Sequence, residues 1–169
     1  MSTTEVMAET RTASRGWWEL RARGPVMTSG GDAVAAWAAD VLATWVGRWD
    51  CLPAPAALVV ATREAGSREA LAFWSAARET GLALAAPRAF PWTLANAPAG
   101  RISTELGITG PCTTLVGSGA DEAFELARSI AVDEQDDDGP VLVVVLDPVA
   151  PAADAAPAPC PWELAAAVV

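Results

Sequence analysis

One uninterrupted apolar run, VLVVVL at residues 141–146, constrains the fold of this chain more than any other feature of its sequence. A strand with one solvated face alternates apolar and polar residues, whereas a strand that is apolar throughout is typical of a sheet covered on both faces. Such sheets occur in α/β folds, in which helices pack on each side. The run therefore predicts a central strand of an α/β sheet.

Short apolar runs alternate with amphipathic stretches along the rest of the chain. Strands are predicted at residues 17–27, 57–61, 112–117, 141–146 and 163–169. Helices are predicted at residues 33–49, 67–80, 95–106 and 118–130. This order predicts a mixed, mostly parallel sheet of about five strands with helices on both faces.

Two segments fall outside this alternation. Residues 1–16 are small and polar and are predicted to be a disordered tail, so that the folded domain covers residues 17–169. Residues 148–161 are rich in proline and alanine and predict an extended loop before a closing strand.

The predicted helix at residues 33–49 carries a stripe of large apolar side chains. Its members recur at spacings of three and four and are Val34, Trp37, Val41, Trp45 and Trp49. Tryptophans on one helix face can form a binding platform, but the same pattern is typical of a face packed on a sheet, which is the interpretation that we prefer. The predicted capping residues of the four helices are Asp32, Ser67, Asn96 and Ser118, the last in a capping box with Asp121.

Composition excludes several classes of function. The 169 residues suit one domain, and an apolar fraction of 52% excludes a disordered chain. The net charge of −10 and the scattered arginines argue against nucleic-acid binding. The chain contains neither histidine nor lysine, so it lacks the usual general base and the Schiff-base amine. Charges or prolines interrupt every apolar run and no signal peptide is evident, so we expect a soluble, cytoplasmic protein without membrane contact.

The cysteines and the acidic run predict no metal site and no cofactor. Cys51, Cys112 and Cys160 are odd in number and widely spaced, which favours reduced thiols over a disulfide framework or a zinc site. The acidic residues within 133–138 lack the glycine hinge and the closing glutamate of an EF-hand loop, which favours a solvated surface loop.

Residues 90–147 resemble a known family. FPWTLANAPAGRISTELGITGPCTTLVG is similar to the β-ketoacyl synthase stretch in which an Asn-Ala-x-Ala-Gly helix leads through Leu-Gly-x-x-Gly-Pro into the strand before the nucleophile. AFELARSI resembles the helix that carries the nucleophile, and PVLVVVLD resembles the next central strand. Upstream, residues 57–81 resemble the preceding strand and helix. The resemblance implies the N-terminal half of a thiolase-like fold, as in chain-length factors and the shorter β-ketoacyl-synthase-like N-terminal proteins.

Two departures from the family's pattern imply that the chain is not an enzyme. The family's acylated cysteine falls at Gly119, flanked by Ser118, so no thiol stands there. The second half of a full-length condensing enzyme, with its two histidines and a lysine, has no counterpart in this sequence. Cys112 and Ser118 are the alternative nucleophiles, but no histidine or lysine is present to activate either. We therefore expect no catalytic residue.

The resemblance also implies a partner. In condensing-enzyme dimers the strand before the nucleophile pairs across the two-fold axis. The corresponding residues here are Cys112, Thr113, Thr114, Leu115 and Val116. An unpaired apolar edge is an aggregation liability unless a partner covers it. We expect the partner to be an active β-ketoacyl synthase in a heterodimer, with acyl carrier protein reached through that partner.

The expected function follows from this pairing. The chain would be a non-catalytic subunit in fatty-acid or polyketide-type biosynthesis, of aryl polyenes or related products, and would help shape its partner's acyl pocket. The expected wall residues are Phe90, Trp92, Asn96 and Phe124. Two alternatives stay open: a homodimeric or free-standing scaffold without chemistry, and an independent thioester decarboxylase or hydrolase.

Overall fold

The computed structural model describes residues 5–12, 17–26, 31–48, 55–64, 66–133, 139–148 and 161–169. The strands in these ranges are β1 (Glu5–Thr12), β2 (Trp17–Val26), β3 (Ala57–Thr62), β4 (Cys112–Val116), β5 (Val141–Pro148) and β6 (Pro161–Val168). The α-helices are α1 (Gly31–Val46), α2 (Ser67–Thr80), α3 (Ala97–Leu106) and α4 (Ala120–Asp133). Two 3₁₀ helices, Leu82–Leu84 and Pro87–Thr93, connect α2 to α3.

All the described strands form one mixed sheet in the order β1-β2-β6-β5-β3-β4. Strand β3 pairs in parallel with both β4 and β5, and the remaining pairs are antiparallel. The expected α/β architecture is confirmed, although its parallel part is confined to β4, β3 and β5. The prediction for the VLVVVL run is also confirmed, because β5 lies inside the sheet and is buried at every position except the half-buried Val145.

The prediction that residues 1–16 are a disordered tail is corrected by strand β1. Glu5–Thr12 pair antiparallel with β2, so this part of residues 1–16 belongs to the sheet. Without it, β2 would present a row of unpaired N–H and C=O groups along its outer edge. Because backbone pairing needs no apolar side chains, the hydropathy of residues 1–16 contained no sign of this strand.

One face of the sheet is covered by α1 and α3. The tryptophan stripe of α1 lies there, with Trp37 and Trp45 buried in the same cluster as Leu58 of β3 and Leu142 of β5. The interpretation of that stripe as core packing is therefore confirmed for the four members up to Trp45, while Trp49 lies outside the described residues.

The other face is covered by α4. Ala123 and Ala127 of α4 are buried against Val59 of β3 and Val143 of β5. Successive residues of a strand point to opposite faces, so the central strands contribute alternately to the two clusters. Helices thus cover both faces, as the sequence predicts.

Helix α2 stands apart from both layers. Only Ala77 is buried in it, and it lies against the two 3₁₀ helices rather than on the sheet. It starts after Gly66, whose φ of 77° is left-handed and whose missing Cβ leaves room for the Trp92 carbonyl oxygen. The predicted cap at Ser67 is therefore wrong, because Ser67 is already inside the helix. No helix in the described ranges is long and apolar enough to cross a membrane.

Candidate functional site

Strand β4 is an edge of the sheet. It pairs with β3 from Leu58 opposite Cys112 to Thr62 opposite Val116, and no strand of the described part of the chain lies on its outer side. Cys112 and Val116 are exposed, and the residues between them are half-buried. The predicted strand before the nucleophile position is thus observed as an edge, whereas its role as a subunit interface stays a prediction.

The hydrogen bonds at the two ends of β4 show which of its backbone groups face outward. Leu58 N–H donates to the Pro111 carbonyl at 2.9 Å, and Gly117 N–H donates to the Thr62 carbonyl at 2.9 Å. In a parallel ladder the residues that bond to one neighbour alternate with residues that face the other side. Cys112, Thr114 and Val116 therefore direct their N–H and C=O groups away from β3. These groups are placed to accept an added strand.

A glycine sets the start of β4. Gly110 N–H donates to the Ala56 carbonyl at 3.1 Å, and a Cβ at Gly110 would overlap that oxygen. The Gly110-Pro111 turn of the sequence motif thus requires glycine because the backbone approaches the entry to β3 closely.

Thr114 carries an orphaned polar atom. Its hydroxyl oxygen is buried and has no hydrogen-bond partner within the described part of the chain. Thr114 pairs with Val60, which faces α1 and α3, so the hydroxyl lies on that side of the sheet. A buried hydroxyl without a partner is destabilising by roughly 1–3 kcal/mol.

The Cys112 thiol is poorly placed for nucleophilic chemistry. The residue is exposed, but its thiol lies against α3, where partial burial raises its pKa and a hydrogen bond with Ser103 lowers it to a lesser extent. A thiol with a raised pKa stays protonated at neutral pH, and the thiolate is the reactive form. Cys112 also opens β4, about 13 Å from Val116 at a rise of about 3.3 Å per residue. Gly119 lies beyond that far end.

The family's nucleophile position opens helix α4. Gly119 directly precedes the helix, and its N–H donates to Oε2 of Glu122 at 3.0 Å. The predicted capping box of Ser118 with Asp121 is therefore wrong. The helix begins one residue later than that box requires, which places Glu122 at the third helical position and leaves Ser118 half-buried ahead of the helix.

A buried polar cluster, absent from the sequence predictions, lies at the carboxyl ends of β3 and β5. Asp147 accepts hydrogen bonds from the Arg63 N–H at 2.7 Å, from Arg63 Nε at 2.9 Å and from the Thr62 hydroxyl at 3.5 Å. The sequence contained a signal for it, because Asp147 and the pair Thr62-Arg63 each directly follow an apolar strand. The carboxyl ends of neighbouring parallel strands meet at one edge of a sheet.

The four predicted wall residues do not come together. Phe90 and Trp92 lie in the second 3₁₀ helix, and Asn96 directly precedes α3, on the α1 and α3 side of the sheet. Phe124 of α4 packs in the cluster on the opposite face. A single pocket within this chain cannot use all four, because the sheet separates Phe124 from the others.

One small crevice lies at the carboxyl edge of the parallel strands. Trp92 is the only predicted wall residue that lines it, together with Val60, Glu69, Leu146 and Trp162. Its volume of about 20 Å³ holds a single water molecule and is far too small for an acyl chain. Within the described ranges, no three histidine, cysteine, aspartate or glutamate side chains lie close enough together to hold a metal ion.

An exposed apolar surface, which we call the α2 patch, lies on α2 and the segment after it. It consists of Leu71, Trp74, Leu82, Leu84, Phe90 and Leu94, each about half exposed or more. Phe73 contacts Trp74 and Phe90 edge-on, with ring centroids 5.6 and 5.8 Å away. The sequence pattern predicted an amphipathic helix here, but not that its apolar side faces outward.

The comparisons with known proteins show the fold. No family model matches the sequence, and no curated protein matches it. Among solved structures, a chain of the ketosynthase in complex with its chain length factor from Xenorhabdus doucetiae is similar, with a TM-score of 0.56 and 11% identity over 85% of this chain. The aligned part spans 62% of that chain. The protein therefore has a ketosynthase-like α/β fold of the thiolase type, and it covers less than two thirds of its structural neighbour.

Proposed function

We propose that the chain is a non-catalytic ketosynthase-like subunit that pairs through β4 with an active β-ketoacyl synthase. The observation that carries this proposal is the outer edge of β4, on which no strand of the residues that the structure describes lies. Strand β4 corresponds to the strand that pairs across the two-fold axis in the condensing enzymes that the sequence resembles. The structural neighbour also supports pairing with a ketosynthase, because it is part of a complex of a ketosynthase with a chain length factor.

The absence of catalysis is proposed from the residues at the nucleophile position. Gly119 offers no side chain there, and its N–H is bonded to Glu122. Cys112 lies at the other end of β4 with a raised pKa. The sequence contains no histidine or lysine to activate a nucleophile or to promote decarboxylation. Condensation chemistry would then belong to the partner.

The residues that we propose to limit acyl chain length all lie on one side of the sheet. The crevice lined by Trp92 and Trp162 cannot hold an acyl group. We therefore place the proposed acyl pocket in the partner, where surface residues of this chain would close it. Because Phe124 lies across the sheet, we restrict the proposed wall to Phe90, Trp92 and Asn96. The biosynthetic setting proposed is of the polyketide type, including aryl polyenes and related acyl chains, with acyl carrier protein engaging the partner.

The test is an affinity pull-down of the tagged chain from its native cells, quantified by mass spectrometry. We expect recovery of a full-length β-ketoacyl synthase near one-to-one. The matched variants are Thr114→Pro, which removes an outward N–H without removing a bond to β3, and Thr114→Val, which keeps that N–H. The proline variant should lose the ketosynthase and the valine variant should retain it. Equal recovery with both would contradict pairing through β4.

A homodimer is the second candidate, favoured by the same free edge. A second copy of the chain can supply the missing strand as well as a ketosynthase can. Recovery of the chain alone, with its self-association lost in Thr114→Pro, would support the homodimeric scaffold and end the chain-length proposal.

A further inference from the structure

The sheet has two edges among the described strands, β4 on one side and β1 on the other. Strand β4 pairs with β3 alone, and β1 pairs with β2 alone. An edge strand presents unpaired N–H and C=O groups, so each of the two is a place where another chain could add a strand. Length by itself would favour β1, which has eight residues against the five of β4.

The backbone of β1 is irregular. Val6 pairs with Ala22 and Ala8 pairs with Arg21, so Met7 is an extra residue that has no counterpart in β2. Such a β-bulge disrupts the regular ladder of the strand and increases its local twist. Bulges are among the features by which natural sheets prevent pairing at an exposed edge.

The composition of β1 also opposes an added strand. Three of its eight residues are charged, namely Glu5, Glu9 and Arg11. Charged residues on an edge strand discourage pairing, because an incoming strand would remove water from them. Bulge and charges therefore act together against the advantage that β1 has in length.

Strand β4 has neither a bulge nor a charge. Its five residues pair one-to-one with residues 58–62 without a shift in register. The sequence CTTLV contains no charged residue and no proline, and three of its five residues are β-branched, which favours a strand. The outward N–H and C=O groups of Cys112, Thr114 and Val116 therefore follow one another at the spacing that an added strand needs.

The difference between the two edges decides how an assembly of this chain grows. If both edges accepted strands, β4 of one copy would pair with β1 of the next, and this head-to-tail contact builds rings or filaments. If only β4 accepts a strand, growth stops after one addition.

We infer that β1 is protected against strand addition, so that each chain takes one added strand, at β4, and its assembly closes at two subunits. The identity of the partner rests on the proposed function, which takes the added strand from a ketosynthase. The protection of β1 does not depend on that identity. A homodimer would obey the same limit, because it would pair β4 with β4 and leave β1 unused.

Hydrogen–deuterium exchange, read by mass spectrometry, tests this in the wild-type chain with and without its ketosynthase. We expect slower exchange in the peptide that contains residues 112–116 and unchanged exchange in the peptide that contains residues 5–12. Light scattering after size-exclusion chromatography should give one copy of this chain per ketosynthase even when this chain is in excess. Slower exchange in residues 5–12, or a complex with further copies of this chain, would overturn the inference.

A variant without the protection provides the converse test. Deletion of Met7 combined with Glu9→Val and Arg11→Val removes the bulge and two of the charges, and it should produce species larger than a pair whose mass increases with concentration. The matched control is Thr10→Val, which also adds a β-branched apolar residue but keeps the bulge and the charges, and it should remain a pair. A folded triple variant that remains a pair would also overturn the inference.

The outcomes separate this inference from the proposed function. A ketosynthase complex that takes up further copies of this chain keeps the proposed function and overturns this inference alone. If the wild-type chain binds no ketosynthase, the proposed function is overturned, and the mass of the chain alone then tests β1. A dimer that is lost in Thr114→Pro would support the inference, and self-assembly beyond two copies would overturn it.

Discussion

The carboxylate of Asp147 holds Arg63 at two points, accepting its backbone N–H on Oδ1 at 2.7 Å and its side-chain Nε on Oδ2 at 2.9 Å. Asp147 is buried at the end of β5, and Arg63 follows β3, so the contact joins two parallel strands at their carboxyl ends. The same end of β3 receives the Gly117 bond and leads into α2. The cluster therefore fixes the part of the sheet on which the proposed interface rests.

Removal of the Asp147 carboxylate should destabilise the protein more than removal of the Arg63 side chain. Asp147→Ala leaves the Arg63 N–H without its acceptor, a loss of roughly 1–3 kcal/mol. Arg63→Ala keeps that backbone bond and removes only an ion pair whose cation is 66% exposed, which should cost less than about 1 kcal/mol. Urea denaturation of both variants checks the order, and an equal loss of unfolding free energy would contradict it.

Thr114→Val should stabilise the free chain. The substitution removes a buried hydroxyl that has no hydrogen-bond partner among the described residues and keeps the shape of the side chain, so we expect a gain on the order of 1 kcal/mol in unfolding free energy. Thr113→Val, at the neighbouring half-buried position of β4, is the matched control. A loss of stability in Thr114→Val would show that the hydroxyl has a partner in solution.

Tryptophans at two sites should differ sharply in their contribution to stability. Trp45 is 2% exposed in the core under α1, and Trp45→Ala should cost roughly 3–5 kcal/mol. Trp74→Ala removes a ring that is 54% exposed and should cost about 1 kcal/mol or less, the range of its aromatic pair. Thermal melts of the two variants test this, and a similar drop in both would argue against the exposure of α2.

The Cys112 thiol should react slowly with alkylating reagents at neutral pH. Its pKa is raised by partial burial, so the thiolate fraction in the folded chain is below that of a free thiol and increases only at more alkaline pH. Because the folded pKa lies above the unfolded one, the contribution of this thiol to stability is fully present below the unfolded pKa, neutral pH included, and is lost as the pH rises through the folded pKa. Iodoacetamide labelling of Cys112, mapped by mass spectrometry with and without urea, tests whether the folded chain reacts more slowly than the unfolded one. Faster labelling of the folded chain would contradict the raised pKa.

Hydrophobic patterns were sufficient to predict the centre of the fold. The runs that became β3 and β5 are apolar because helices cover both of their faces, and the stripe of α1 is apolar because it packs on one of them. Strand β1 was missed because its place in the sheet depends on backbone pairing with β2, which leaves no hydropathy signal.

The candidate site was predicted less completely. The edge strand β4 could be predicted from its residues and from the family resemblance. The exposure of the apolar side of α2 could not, because the amphipathic pattern of a helix is the same whether its own chain or another protein covers its apolar side. The separation of Phe124 from Phe90 depends on the side of the sheet to which each helix crosses. The spacing of residues along the sequence does not show which face of the sheet a helix covers.

The central claim is that this chain is the non-catalytic subunit of a heterodimer with a ketosynthase. Its most direct test is to co-express the chain with an active β-ketoacyl synthase from the same cells. The stoichiometry is then measured by size-exclusion chromatography with multi-angle light scattering. We expect a one-to-one heterodimer that is lost in Thr114→Pro and kept in Thr114→Val. Elution of the ketosynthase as its own dimer, with this chain in a separate peak, would contradict the account.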